Sequence, residues 1–289
     1  MQETQAYYGK AYDGTTASDS ESENPKYIRI AESAAKFYRI EERVAEFVRR
    51  NGLEGKRVLD VGAGRGYLQD LVENYTALDI SPTAGKFFHK RYVRGSATAM
   101  PFSDNEFDAA WSIWVLEHVP NPEQALSEIR RVVRDGGYLY LAPAWDCEPW
   151  PAQGYEVRPY SDFGLGGRIE KATIPAQRIL RRIGALGANA TRRLQCTLSD
   201  SPTVLRYRKL EPNYSEYWQP DSDAVNSLGR REVAQWFTSR GDECLNCPIQ
   251  EYVDNDPRAL IIRIRKPEAP RARVMPNPTL RLHRVPLGP

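Results

Sequence analysis

The stretch VLDVGAGRGYLQDL, residues 58–71, decides how this chain is read. A short apolar run leads into glycines at alternate positions, Gly62, Gly64 and Gly66, and then into a helical pattern. Strand, glycine turn and helix in that order form a site for a nucleotide-like ligand. Glycine lets the main chain approach a ligand with no Cβ in the way, and a helix start presents unpaired N–H groups. A carboxylate at the end of the following strand can grip ribose hydroxyls. Asp79, in ALDIS, stands there, thirteen residues after Gly66.

Spacing separates the ligand classes. A dinucleotide loop has the form G-x-G-x-x-G, which would need glycine where Tyr67 stands. No Lys-Ser/Thr follows to make a phosphate loop. A nicotinamide cofactor is therefore disfavoured. A loop flanked by Asp60 and Asp79 suits a cation without phosphates, and S-adenosylmethionine, with its ribose, adenine and sulfonium, is such a ligand.

Outward from this centre, strands and helices alternate. Residues 1–24 are polar and aperiodic and are expected to form a mobile arm. From Pro25 apolar residues fall at helical spacings, giving one helix or two that lead to Asn51-Gly52. RVLDVG, YTALDI, YVRG, EFDAAWSIWV and YLYLAP are predicted strands. YLQDLVEN and PTAGKFFHKR are predicted helices. Asn121-Pro122 opens another helix, with Asn121 as cap and Gln124 close to a capping box, and Gly136-Gly137 is predicted to end it. REVAQWFTSRG is a helix closed by Gly241. LNCPIQEYV and RALIIRIRK are two late strands, close enough for a hairpin, so the last should run antiparallel.

As a set these motifs resemble class I S-adenosylmethionine-dependent methyltransferases, of the kind often acting on small molecules. VLDVGAGRG, LDIS, ATAMPFSDNEFDAAWS and VLEHVPNPEQALSEIRRVVRDGGYLYLAP carry the resemblance, over roughly residues 55–145. It implies an α/β Rossmann-like fold, a doubly wound seven-stranded sheet, mostly parallel with one antiparallel strand. A lid would be inserted between the fifth strand and the last helix. It divides the chain into an N-terminal arm and helical cap (1–50), a cofactor-binding core (51–145), a substrate lid (146–220), completion of the core (221–266) and a Pro-rich tail (267–289). It implies that Asp60, Gly62, Ala63, Gly64 and Gly66 line the methionine part of S-adenosylmethionine and that Asp79 binds its ribose. Ile80, Ala97 and Met100 would flank the adenine. Ser96 stands where the family often has an acid that accepts from the adenine amino group. Trp114, near the end of the fourth strand, is a candidate for the sulfonium through its ring face; Trp111 reads as core.

His118, in LEHVP on the active side of the sheet, is the candidate base, with Glu117 second; the alternative is that the same tripeptide only shapes the cofactor loop. His89 reads as surface and His283 as tail. The motif N/D-P-P-Y/F of adenine- and amide-nitrogen enzymes is replaced here by WSIWVLEH, and Cys147 does not sit in the Pro-Cys setting of cytosine C5 enzymes. No Asp/His/Glu grouping suggests a metal, and Cys244-x-x-Cys247 lacks the second pair of a zinc site. The expected activity is methyl transfer to an O or N atom of a small-molecule, sugar or lipid-linked acceptor. A non-catalytic holder of S-adenosylmethionine or a nucleotide, on the same fold, is the alternative.

Composition bounds the rest. Hydrophobic residues make 41% and charged residues 27% of 289 residues, as in ordinary globular chains. No apolar run approaches the ~20 residues of a membrane span, the N-terminus does not read as a secretory signal, and four cysteines make no disulfide framework. The expectation is a reduced, cytoplasmic protein. Residues 168–210 hold ten Lys/Arg against two acids, an excess of +8 in a chain of net charge +2. Within them IPAQRILRRIGALGANATRRL is apolar at Ile179, Leu180, Ile183 and Leu186 with arginines between. That pattern fits either a solvated helix packed on the domain or a basic amphipathic helix on an anionic membrane. Low total charge and the lack of a recognition module argue against nucleic acid. Tyr207, Tyr214, Tyr217 and Trp218 would add a second wall to the acceptor pocket.

Overall fold

A computed structural model describes residues 6–7, 25–197, 202–214, 221–247 and 259–266. Two helices, α1 (Pro25–Phe37) and α2 (Ile40–Arg50), precede the sheet. They are separated at Arg39, whose backbone is left-handed (φ 52°). The apolar face of α2, Val44, Phe47 and Val48, is buried. Then follow β1 (Arg57–Val61), β2 (Asn74–Asp79), β3 (Arg91–Arg94), β4 (Phe107–Ile113), α3 (Pro122–Val132) and β5 (Val133–Ala142). Beyond them lie α4 (Leu165–Thr197), β6 (Tyr207–Lys209), β7 (Asn226–Leu228), α5 (Arg230–Thr238), β8 (Glu243–Cys244) and β9 (Leu260–Arg263).

Seven strands form one sheet in the order β3-β2-β1-β4-β5-β9-β8. The β1–β5 pairings are parallel, and β9 runs antiparallel to both neighbours. The mostly parallel α/β sheet with one antiparallel strand is thus as expected. Both faces are covered, as a parallel sheet requires. Leu59, Leu139 and Leu260 meet α3 and α5 through Ile129, Trp236 and Phe237. On the other face Val58, Tyr75, Trp111 and Tyr140 meet α2. Trp111 is fully buried core. β6 and β7 pair as a separate ribbon.

Two predicted helices are absent. Residues 67–73 hold only the short 3-10 turn Gln69–Leu71, and Asn74 opens β2 instead of closing a helix. Reach explains this. The chain must return along the length of β1, ~16 Å, and seven residues of α-helix span only ~10 Å. The segment between β2 and β3 is likewise reduced to the 3-10 turn Ala84–Phe87. Leu68, Val72 and Ala84 still bury, and Phe88 fills space against Tyr75 and Tyr92.

A third correction concerns α3. Its start is as expected: Asn121 Oδ1 accepts from Gln124 N at 3.2 Å. It ends at Val132, and Gly136-Gly137 lies within β5. Gly136 has φ +71° and donates to Ile264 O, and a Cβ on Gly137 would fall 2.6 Å from Asp108 O. These glycines serve the irregular register where β5 meets β4. Of the late hairpin, β9 matches RALIIRIRK, whereas β8 lies wholly ahead of LNCPIQEYV; residues 248–258, like the tail from 267, fall outside the described residues.

One buried ion pair ties the late elements to α3. Arg130 Nε lies 2.7 Å from Asp242 Oδ2, and the Asp242 side chain is fully buried. Arg130→Ala would leave that carboxylate without its cation. A loss of about 3–5 kcal/mol is expected, read from the urea midpoint.

Candidate functional site

The glycine loop leaves β1 and folds back onto the end of β2. Gly62 N and Ala63 N both donate to Leu78 O, and Gly64 N donates to Asp79 Oδ2 at 2.8 Å. Gly62, Gly64 and Gly66 all have positive φ (76°, 53° and 72°), which disfavours any side chain. Packing adds a second demand. A Cβ on Gly62 would lie 2.3 Å from Val115 Cγ2, and one on Gly66 2.6 Å from Phe88 Cε1. The loop is bare partly so that it can nest against the segments after β4 and before β3.

Asp60 and Asp79 close in beside it. Asp60 is buried, and the Tyr75 hydroxyl donates to its Oδ2 at 2.8 Å. Burial outweighs that donor and pushes the Asp60 carboxyl up to about 7. Asp79 Oδ1 accepts Ser81 N at 2.8 Å. Its carboxyl is also raised by burial, against the pull of the Ser81, Gly64 and Ile80 N–H groups. Among the described residues no Lys or Arg forms an ion pair with either.

A cavity of about 490 Å³ opens at this point, lined by Asp60, Gly62, Ala63, Gly64 and Trp114. α1 forms its roof through Ala31, Glu32, Ala35 and Lys36. Glu32 Oε1 accepts from Arg65 Nη1 at 2.8 Å and from the Tyr67 hydroxyl at 2.5 Å, so α1 is latched to the glycine loop. The sequence motifs pointed to none of these roof residues; thirty-three positions separate Glu32 from Arg65. Trp114 holds a left-handed backbone (φ 53°) with its N–H on Ala142 O at 3.0 Å. Such a conformation for a bulky residue persists only where its surroundings impose it. Its ring meets Tyr38 edge-on, with centroids 6.1 Å apart.

The residues expected around an adenine sit at the neighbouring strand end and do not line this cavity. Gly95 N donates to Asp79 O, which brings Ser96 and Ala97 beside Asp79. The Ser96 hydroxyl is engaged by Thr98 at its N–H and Oγ1. Met100 is buried against the core near Phe102, its N–H on Glu128 Oε2. Ile80 is half-buried, and Gly66 is buried and does not line the cavity.

Glu117 and His118 occupy a 3-10 turn, Leu116–His118. Asn226 pins the turn by donating to Leu116 O and Val119 O, and Val225 N donates to Glu117 O. Glu117 is 1% exposed; its Oε1 accepts Ala144 N at 3.0 Å, and its Oε2 has no partner among the described residues. Burial pushes its carboxyl up to about 7. His118 Nε2 lies 3.8 Å from Glu117 Oε1, and Nδ1 lies 3.3 Å from Asp223 O and 3.8 Å from Asp223 Oδ2. Burial disfavours the imidazolium, but Asp223, Glu117 and Asp221 outweigh it and raise His118 above its ordinary value. The Tyr7 ring meets that of Tyr214 at a tilt, centroids 5.0 Å apart, and its hydroxyl is raised by burial and by Asp223. Asp221 and Asp223 lie outside every sequence motif. Tyr217 and Trp218 fall outside the described residues. His89 is exposed and pairs with Asp70. Cys244 and Cys247, read from sequence as thiols, are joined in a disulfide, while Cys147 is a buried free thiol.

Residues 59–141 match the family model described as a methyltransferase domain. The chain carries a class I S-adenosylmethionine-dependent methyltransferase domain. The match spans β1 to β5 and with them the glycine loop, Asp79, Glu117 and His118. The domain is similar to demethylmenaquinone methyltransferase of Renibacterium salmoninarum, 40% identical over 30% of this chain and 41% of that protein. It is similar also to phthiotriol/phenolphthiotriol dimycocerosates methyltransferase 1 of Mycobacterium ulcerans, 34% identical over 40% of this chain and 50% of that protein. A third relative is the fatty-acid O-methyltransferase of Mycolicibacterium smegmatis, 34% identical over 34% of this chain and 42% of that protein. The chain thus spans about half, or less, of the length of these relatives. α1, α4 and the Asp221–Asp223 segment lie outside the matched methyltransferase domain.

Proposed function

We propose that this chain moves a methyl group from S-adenosylmethionine, by in-line displacement, to an oxygen or nitrogen of a small-molecule, sugar or lipid-linked acceptor. One observation carries the reading. Two buried carboxylates, neither in an ion pair with a Lys or Arg among the described residues, flank a bend built on three positive-φ glycines; Asp60 lines the 490 Å³ cavity and Asp79 holds Gly64 beside it. A cationic nucleoside offsets a charge that no Lys or Arg among the described residues pairs with. The group fits on that count.

When bound, S-adenosylmethionine supplies an electrophilic methyl on a good leaving group. The chain's own residues hold and align. In this reading Asp79 accepts the ribose hydroxyls, and Asp60 with Gly62, Ala63, Gly64 and Gly66 receives the amino-acid part. Ile80, Ala97 and Met100 shape the adenine end, and Ser96 accepts from its amino group. Trp114 faces the sulfonium, and α1 excludes water. Alignment of this kind is worth effective molarities of ~10⁵–10⁸ M. His118, or Glu117 beside it, takes the proton of an acceptor that loses one. Residues 146–220 form the lid that selects the acceptor. The relatives named for fatty acids, menaquinone and phthiotriol lipids favour an apolar one, and peripheral contact of residues 168–210 with an anionic membrane belongs to the same proposal.

Titration calorimetry with S-adenosylhomocysteine tests the first half, and transfer of tritiated methyl into lipid and aqueous fractions of a lysate tests the second. Binding with label entering the lipid fraction is expected. No binding at millimolar ligand overturns the reading. Binding without transfer to any fraction leaves a non-catalytic holder.

A further inference from the structure

The long helix α4 turns apolar residues to solvent along its outer face. Ile174 is its buried anchor, 6% exposed and packed with Trp150, Tyr155 and Phe163. Leu165, Ile169, Ile179, Leu180 and Ile183 are 57–78% exposed. At 3.6 residues per turn all five point within ~60° of the direction opposite Ile174. The exposed Ala172 and Ala176 lie between them on the same line. The stripe runs for ~27 Å. These five are half of the ten large apolar side chains exposed among the described residues, so they form a concentrated patch and not the usual scatter.

One flank of the stripe is basic. Arg168 and Lys171 fall on it, and their side chains donate to main-chain carbonyls, which leaves their charge in place. Arg178, further round, is held by Glu148 and Glu156. The helix belongs to the segment that carries the local excess of +8, ten Lys/Arg against two acids.

We propose that α4 lies in the plane of an anionic phospholipid surface, its Leu165–Ile183 stripe set among the acyl chains and its basic flank at the headgroups. Apolar stripe plus basic flank is what an interfacial helix needs. None of the described helices is long and apolar enough to cross a membrane, so the helix rests on it. A second copy of the chain would bury the stripe equally well but would set one basic segment against another, each with an excess of +8. A nucleic acid would have no use for the apolar face. This gives the membrane contact of the proposed function its residues and its geometry, and it holds whatever the acceptor is.

Co-sedimentation of the full chain with vesicles tests it. Strong pelleting is expected with phosphatidylcholine–phosphatidylglycerol vesicles at low salt, and at least about tenfold weaker pelleting with pure phosphatidylcholine or in high salt. The double variant Ile179→Glu, Ile183→Glu alters only exposed positions. It should lose vesicle binding by at least about tenfold while its circular dichroism and its affinity for S-adenosylhomocysteine stay unchanged. Equal binding to neutral vesicles, no binding to either, or undiminished binding by the variant each overturns the proposal. A dimer that the variant breaks, with no vesicle binding by the parent chain, also overturns it and assigns the stripe to a second copy. The affinity for S-adenosylhomocysteine separates a failed surface from a failed cofactor site.

Discussion

Asp79→Ala should weaken S-adenosylmethionine binding by about a hundredfold to ten-thousandfold. Hydrogen bonds to an ionised group are worth ~1.5–3 kcal/mol each, and two ribose hydroxyls facing one carboxylate make ~3–6 kcal/mol, with each 1.4 kcal/mol a factor of ten. The same change also takes away the acceptors of Gly64 N and Ser81 N, so the loop itself slackens. Calorimetry reads the loss directly, and an affinity within threefold of the parent would sink the ribose role.

Asp60 adds a pH signature to that binding. Its free carboxyl titrates at about 7 because burial disfavours the charge. A cation bound in the cavity favours the ionised form, so the bound state holds its proton less tightly. Below about 7, binding therefore releases a proton, and affinity climbs with pH until that value and then levels off. The sign for stability is opposite. A carboxyl raised on folding contributes most below its unfolded value, ~3.9, and that contribution is lost as pH rises to about 7. Asp60→Asn should flatten the affinity profile and raise the melting temperature of the free protein at pH 8. Calorimetry in buffers of different ionisation enthalpy counts the proton. A release that persists in Asp60→Asn would assign it to another group.

The half of the site built from neighbouring motifs was legible in the sequence because local steric rules fix it. Three positive-φ glycines and a carboxylate at the end of the next strand leave little choice of geometry. The mostly parallel sheet was legible too, since apolar strands separated by crossovers pair in parallel, but the order of its strands was not. The two missing helices were not legible. YLQDLVEN has the periodicity of a helix, and only the length of β1, which the short crossover must span, forbids it. The Glu32–Arg65 latch and the approach of Asp223 to His118 join positions 33 and 105 residues apart, and no periodicity reports such pairings. The outward stripe of α4 was legible as a pattern but not as a direction, because the side that packs is decided by Trp150 and Tyr155 on another segment.

The choice between His118 and Glu117 can be made by moving one charge. If His118 is the base, His118→Asn lowers kcat by ~10²–10⁴ and leaves S-adenosylhomocysteine binding intact, because His118 lies outside the glycine loop and the cavity. An imidazole must be unprotonated to accept a proton, so activity rises with pH through the His118 value, which lies above the ordinary 6.5. Asp223 is the carboxylate that contributes most to that elevation. Asp223→Asn should therefore shift the acid limb of kcat to lower pH. Glu117 is raised as well, to about 7, but Asp223 is not among the groups that set it; burial is, with His118 and the Ala144 N–H opposing. A limb that Asp223→Asn leaves in place and Glu117→Gln abolishes would make Glu117 the proton acceptor. A rate that does not vary with pH in the parent chain would remove both, and would mean that the acceptor atom attacks without losing a proton, as a neutral amine or thioether does.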